Sequence, residues 1–140
     1  MVHALEEFRR VLVPGGTLID LRPVSESLPI EVLSLRGNQE AGRTTNLPED
    51  IADDAAATSA MAQGEAIRLF QREREEFFPF QYSWDSPREM REYLEQEWAD
   101  WATVDEAVWA RLRSLWAVAE ADARVGVRLT MLITRWVKSE

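Results

Sequence analysis

The stretch Ala4–Pro23, ALEEFRRVLVPGGTLIDLRP, carries the reading of the fold. Leu5, Phe8 and Leu12 recur at helical spacing with Ala4 and Val11 beside them, while Glu6, Glu7, Arg9 and Arg10 take the outer face. That pattern is an amphipathic helix. Pro14 ends it, Gly15 and Gly16 allow the positive φ of a tight turn, and TLIDL (Thr17–Leu21) predicts a short strand buried on both faces. Helix, turn and interior strand in this order form an αβ unit of a mostly parallel sheet, a pattern that usually sits late in a larger α/β fold.

Working outward, IEVLSL (Ile30–Leu35) alternates as a strand, RGN supplies turn residues, and EAGRTTN returns as its partner, which predicts a surface hairpin over Ile30–Asn46. Pro48 suits a first helical turn, and Glu49, Asp50, Asp53 and Asp54 complement the unpaired N–H groups there. The helix is expected to run to about Glu75, with Gly64 as a break. EFFPFQYSWD has strand composition, and Pro79 places it at an edge or bulge. Ser86-Pro87-Arg88-Glu89 matches a capping box, so a helix starts at Pro87 with Met90, Leu94, Trp98 and Trp101 as its apolar stripe. Thr103 and Glu106 repeat that spacing ahead of a stripe of Val108, Leu112, Leu115 and Ala119. VGVRLTMLITRWV predicts a long last strand, with Val127, Leu129, Met131 and Ile133 on one face and Arg128, Thr130, Leu132, Thr134 and Trp136 on the other. One domain, residues 1–140, suffices for a chain of this length.

Composition narrows the chemistry. A formal charge of −9 repels phosphate backbones and argues against nucleic acid as a partner. The absence of cysteine rules out disulfides and thiolate metal sites and fits an intracellular, cytoplasmic protein. His3 is the only histidine and reads as a surface residue, which disfavours zinc chemistry and a Ser-His-Asp triad. Apolar runs such as Leu129–Ile133 fall short of the ~20 residues of a membrane span, and the N-terminus lacks the pattern of a signal peptide. Gly15-Gly16 follows a helix and precedes a strand, the reverse of a phosphate-cradling loop.

Asp20 and Arg22 point to one side of the first strand near its C-terminal end, where open α/β sheets place their ligands. They are the candidate substrate or partner residues, against a plain ion pair as the simpler account. Catalytic residues are not identified, and no metal ligands are expected. The tryptophans Trp98, Trp101, Trp109 and Trp116 fall at or beside helical stripes and read as packing, whereas Trp84 and Trp136 at strand positions are read as lining a cleft or covering the sheet. Glu73, Glu75 and Glu76 among Arg72 and Arg74 read as a solvated helix face.

EEFRRVLVPGGTLIDLRP, Glu6–Pro23, resembles the helix, PGG turn and fifth strand in the C-terminal half of class I S-adenosylmethionine-dependent methyltransferases. FFPFQYSWDSPREMREYL is similar to the sixth strand and following helix of that half, and VRLTMLITRWVK to its seventh strand. The resemblance implies an α/β fold: a partial Rossmann-like sheet of three main strands, the last antiparallel, with flanking helices and the hairpin. It also implies that the glycine-rich cofactor loop and its acidic partner would precede Met1. No cofactor residue therefore carries over to this chain, and S-adenosylmethionine is expected only together with that other half. The Thr17–Leu21 strand would then present an open edge, suited to a second copy of the chain or to a separate N-terminal half. The expectation is a homodimeric interaction or scaffold module without methyl transfer by itself; the alternative is the substrate-side portion of a methyltransferase.

Overall fold

A computed structural model describes residues 2–140. The elements in chain order are helix α1 (Val2–Val11), strands β1 (Thr17–Pro23), β2 (Pro29–Ser34), β3 (Gly37–Arg43) and β4 (Thr45–Asn46), helix α2 (Pro48–Ala66), strand β5 (Phe70–Trp84), helix α3 (Pro87–Glu97), strand β6 (Ala102–Thr103), helix α4 (Glu106–Ala117) and strand β7 (Arg124–Lys138). The fold is α/β. β1, β2 and β5 all pair with β7, β3 adds to β2, and β4 with β6 makes a two-stranded ribbon. The β1–β7, β2–β7, β2–β3 and β4–β6 pairs are all antiparallel. The expected mostly parallel sheet of three main strands is thus corrected to a mostly antiparallel sheet of five. The physical reason is that the neighbour of β1 comes from the far end of the sequence and runs back against it. Among the described residues no helix is long and apolar enough to cross a membrane.

The backbone clusters into two compact units. The first comprises the N-terminal segment to Val24, Ala52–Phe78 and Thr130–Glu140. Its core gathers Leu5, Leu69, Phe70 and Trp136, with Leu12, Leu18 and Met61 packed against them. The PGG turn is built as expected: Gly15 has φ +70°, and a Cβ on Gly16 would stand 2.8 Å from the Val13 carbonyl oxygen. Lys138 closes this turn from the other terminus, its N–H donating to Gly16 O at 2.9 Å and its Nζ to Leu12 O at 2.6 Å. β1 is not buried on both faces. Ile19 and Leu21 are 51% and 55% exposed, because both helical segments of this unit contribute their core residues to the side that bears Leu18.

The helix read to Glu75 ends at Ala66. Leu69 N–H bonds back to Gly64 O at 2.9 Å and Arg68 takes a left-handed φ of 58°, which turns the chain so that Phe70 is buried. The break expected at Gly64 falls just after it: Gly64 lies in the last turn of α2, where a Cβ would meet Leu5 Cδ1 at 3.0 Å, and so it admits α1.

The second unit comprises Ser25–Ile51 and Pro79–Leu129. The β2–β3 hairpin exists but is no surface feature: Ile30 and Val32 are buried, and α4 packs on both strands. Buried Glu31 pairs with Arg128 at 3.4 Å. Ser86 caps α3 as the sequence suggests, its Oγ accepting from Glu89 N at 3.2 Å, with Met90 and Leu94 facing inward. Trp98, Trp109 and Leu112 complete this core. The second capping box is not formed. Thr103 lies in β6, paired with Thr45, and Asp105 occupies the N-cap of α4 without a side-chain bond.

Gly42 has a steric duty in this hairpin, since a Cβ there would lie 2.6 Å from Val108 Cγ2. Gly42→Ala is expected to cost about 1–3 kcal/mol in urea unfolding, and Val108→Ala in the same chain should recover part of that loss. Equal stability of Gly42→Ala and the parent would contradict this packing.

Candidate functional site

Asp20 and Arg22 are brought together, and the first unit builds a cavity around them. Their i, i+2 spacing puts both on one face of β1. Arg22 Nε stands 3.3 Å from Asp20 Oδ2, and the two side chains are 17% and 19% exposed. Across from them, α2 supplies Asp54, Thr58, Met61, Ala62 and Glu65, a run at helical spacing that forms one helix face. Arg22 Nη1 donates to Asp54 O at 3.2 Å and Oδ1 at 3.1 Å, and Nη2 donates to Thr58 Oγ1 at 3.0 Å. A planar guanidinium presents five donors in a fixed fork, so one arginine can hold β1 to α2 in this way.

β5 and β7 close the remaining sides with Arg72, Glu75, Phe77, Leu132, Thr134 and Trp136 around a volume of about 350 Å³. Arg72 Nη1 pairs with Glu75 Oε2 at 3.3 Å, its backbone N–H donates to Glu65 Oε1 at 3.3 Å, and its guanidinium lies 5.9 Å above the Trp136 ring. Thr134 Oγ1 donates to Glu75 Oε2 at 3.4 Å. Trp136 is 4% exposed, and its Nε1–H is buried without an acceptor. Four carboxylates face two guanidinium groups. Such a lining can hold and orient a polar ligand, and its apolar members Met61, Phe77 and Leu132 can cover a hydrocarbon body.

Asp20 and Arg22 were legible as a pair, and Trp136 as a residue at a cleft. In the sequence Asp54 marks only a helix N-terminus and Glu75 suits a solvated helix, because what ends α2 is the burial of Leu69 and Phe70 against distant residues. The spacing of Asp54, Thr58 and Glu65 marks a polar face on α2, and that was the available clue. Among the described residues no group of three His, Cys, Asp or Glu is placed to hold a metal ion.

The second unit has a depression of about 370 Å³ beside α3, lined by Arg88, Arg91, Glu92, Glu95, Trp109 and Arg113. Two of its three arginines, Arg88 and Arg91, pair with the lining glutamates Glu92 and Glu95. Arg91 bonds to Glu95 at 2.7 Å and to Glu106, and sits 5.5 Å from the Trp109 ring. A comparison with protein-family models returns no match, and neither a curated protein nor a solved structure matches the chain.

The Arg91 hydrogen bond holds the Glu106 carboxyl below the ordinary glutamate range. A folded-state value below the unfolded one contributes stability above the unfolded value and loses it as pH falls through the folded one. Arg91→Ala should therefore raise the Glu106 midpoint in a carboxyl NMR titration, and an unchanged midpoint would contradict the pairing.

Proposed function

We propose that these 140 residues form a methyltransferase-like half-domain that transfers no methyl group by itself and acts as an interaction module, pairing with a second copy through β1. Support for the methyltransferase likeness comes from the strand neighbours as well as the VLVPGG turn. β7 runs antiparallel to β1 and also pairs with β5, the order that the resemblance implies for a fifth, seventh and sixth strand. The same order supports, as the second reading, the substrate-side portion of a methyltransferase working with a cofactor-binding half. No glycine-rich cofactor loop occurs within these residues, and without one nothing holds a methyl donor in line for attack.

The observation that carries the pairing is the free edge of β1. Lys138 N–H donates to Gly16 O and Val24 N–H donates to Thr130 O, so even-numbered residues of β1 turn their backbone groups toward β7. The odd-numbered ones, Thr17, Ile19 and Leu21, turn theirs outward, where they have no partner strand among the described residues. Their side chains form the exposed apolar face. Antiparallel self-pairing about a two-fold axis at Ile19 sets Thr17 against Leu21 of the other copy and uses all three outward N–H groups. It leaves Pro23, which has no N–H, outside the ladder, and it keeps Asp20 from facing its own copy.

Sedimentation equilibrium at micromolar concentration should give twice the 16.1 kDa chain mass. Ile19→Lys, at a half-exposed position, should give the chain mass with an unchanged far-UV spectrum. A monomeric parent would overturn the pairing. In isothermal titration S-adenosylmethionine should show no tight binding to these residues, and tight binding would favour the second reading instead.

A further inference from the structure

We propose that the second unit docks an arginine-bearing segment of another protein on an aromatic face made by the end of β5 and by α3. Neither the β1 pairing nor the methyltransferase likeness enters the argument. Phe80, Tyr82 and Trp84 alternate along β5, so strand geometry turns all three to one side. Their rings run on into α3 and the segment after it: Phe80 lies 5.1 Å from Tyr82, Trp84 lies 5.3 Å from Tyr93, Tyr82 lies 5.6 Å from Trp98, and Trp98 lies 4.3 Å from Trp101. Of these six rings only Trp98 is buried; Phe80 is 46% and Tyr93 36% exposed, and Tyr82, Trp84 and Trp101 are partly exposed. A monomer rarely leaves so continuous an aromatic surface to water, and Tyr, Trp and Phe are the residues that protein interfaces concentrate.

What covers this face follows from its charge. The second unit holds fifteen acidic residues against eight basic ones, which is −7 of the chain's −9. Glu89, Tyr93 and Glu97 follow one another at four-residue spacing and so lie along one face of α3. The Glu89 carboxylate accepts from the N–H of Asp85, the residue after Trp84, at 3.3 Å, which fixes it beside the rings. The nearby cations are engaged by other carboxylates, Arg88 by Glu92, Arg91 by Glu95 and Glu106, and Arg124 by Asp85, leaving Glu89 and Glu97 without an ion pair among the described residues. Rings with carboxylates at their rim match a guanidinium, which stacks flat on an aromatic face and donates to a carboxylate in its own plane. A neutral sugar or a nucleobase also stacks, but the sugar answers none of the charge and a nucleic acid brings the wrong sign. Glu89 and Glu97 stand about 12 Å apart along α3, a span that two arginines four residues apart in an extended chain cover.

Acetyl-(Gly-Arg)4-Gly-amide carries arginines at that spacing, and its citrulline counterpart keeps the shape without the charge. Each is titrated into the full chain and followed by the Trp84 indole N–H resonance, identified with Trp84→Phe. The expected result is a saturable shift with the arginine peptide and at least about tenfold weaker binding of the citrulline peptide. Tyr93→Ala and Glu97→Gln should each weaken the arginine peptide about threefold or more, whereas Glu26→Gln, which removes the same charge from the loop between β1 and β2, should leave it unchanged. No saturable shift of Trp84 up to about 5 mM, or equal binding of the two peptides, would overturn the proposal. So would a loss as large in Glu26→Gln as in Glu97→Gln, since binding would then follow net charge alone. A shift of the same resonance by cellotetraose and not by the arginine peptide would assign the face to a sugar and sink the proposal too. The peptide comparison needs no variant, so it decides the matter even where Tyr93→Ala does not fold.

Discussion

Fifteen consecutive residues of β7 must find backbone partners, and the way they do so organises the rest of the chain. The strand pairs with β2 over Arg124–Val127 and with β1 over Met131–Val137, while β5 also pairs with it. Each of the two compact units thus takes one part of the same strand. In the first, Thr134 and Trp136 are buried, and they sit on the side that receives Leu18, Phe70 and the helices. In the second, Val125, Val127 and Leu129 are buried. Side chains along a strand alternate between its faces, and every polar residue turned inward needs a partner. Thr134 finds Glu75, whereas the Trp136 N–H finds none.

That alternation also separates two roles on β1. The even side bears Leu18, Asp20 and Arg22, which join core and cavity, and the odd side bears Ile19 and Leu21 in solvent. Pairing at an edge and binding in a cavity are consequently read by different substitutions, since neighbouring residues of one strand face opposite ways. Arg22 links β1 to two positions on α2.

Local signals were legible in the sequence and nonlocal ones were not. The amphipathic α1, the PGG turn, the Ser86 cap and the extent of β7 depend on residues within a few positions of each other, and the structure has them. The sequence suggests a longer α2 because Arg72–Glu76 suits a helix surface, while what ends the helix is the burial of Leu69 and Phe70 against residues distant in sequence. Likewise nothing within Ile30–Arg43 tells that α4 will cover it. Of the cavity, the Asp20 and Arg22 pair and the position of Trp136 could be read. Their grouping with Glu75 could not, because it needs the bend after Gly64 and the return of β7.

The register of β1 on β7 has a consequence for how the molecule is made. Thr17 pairs with Val137, and Lys138 closes the turn at Gly16, so β1 gains its neighbour from a strand far away in the sequence. Contacts this distant in sequence carry a large loop-closure cost and slow the folding of sheets. α1 and β1 are made before β7, so Leu5, Leu12 and Leu18 lack the cover of Trp136 until that later strand is present. The core of the first unit therefore closes only once the residues between β1 and β7 have been made.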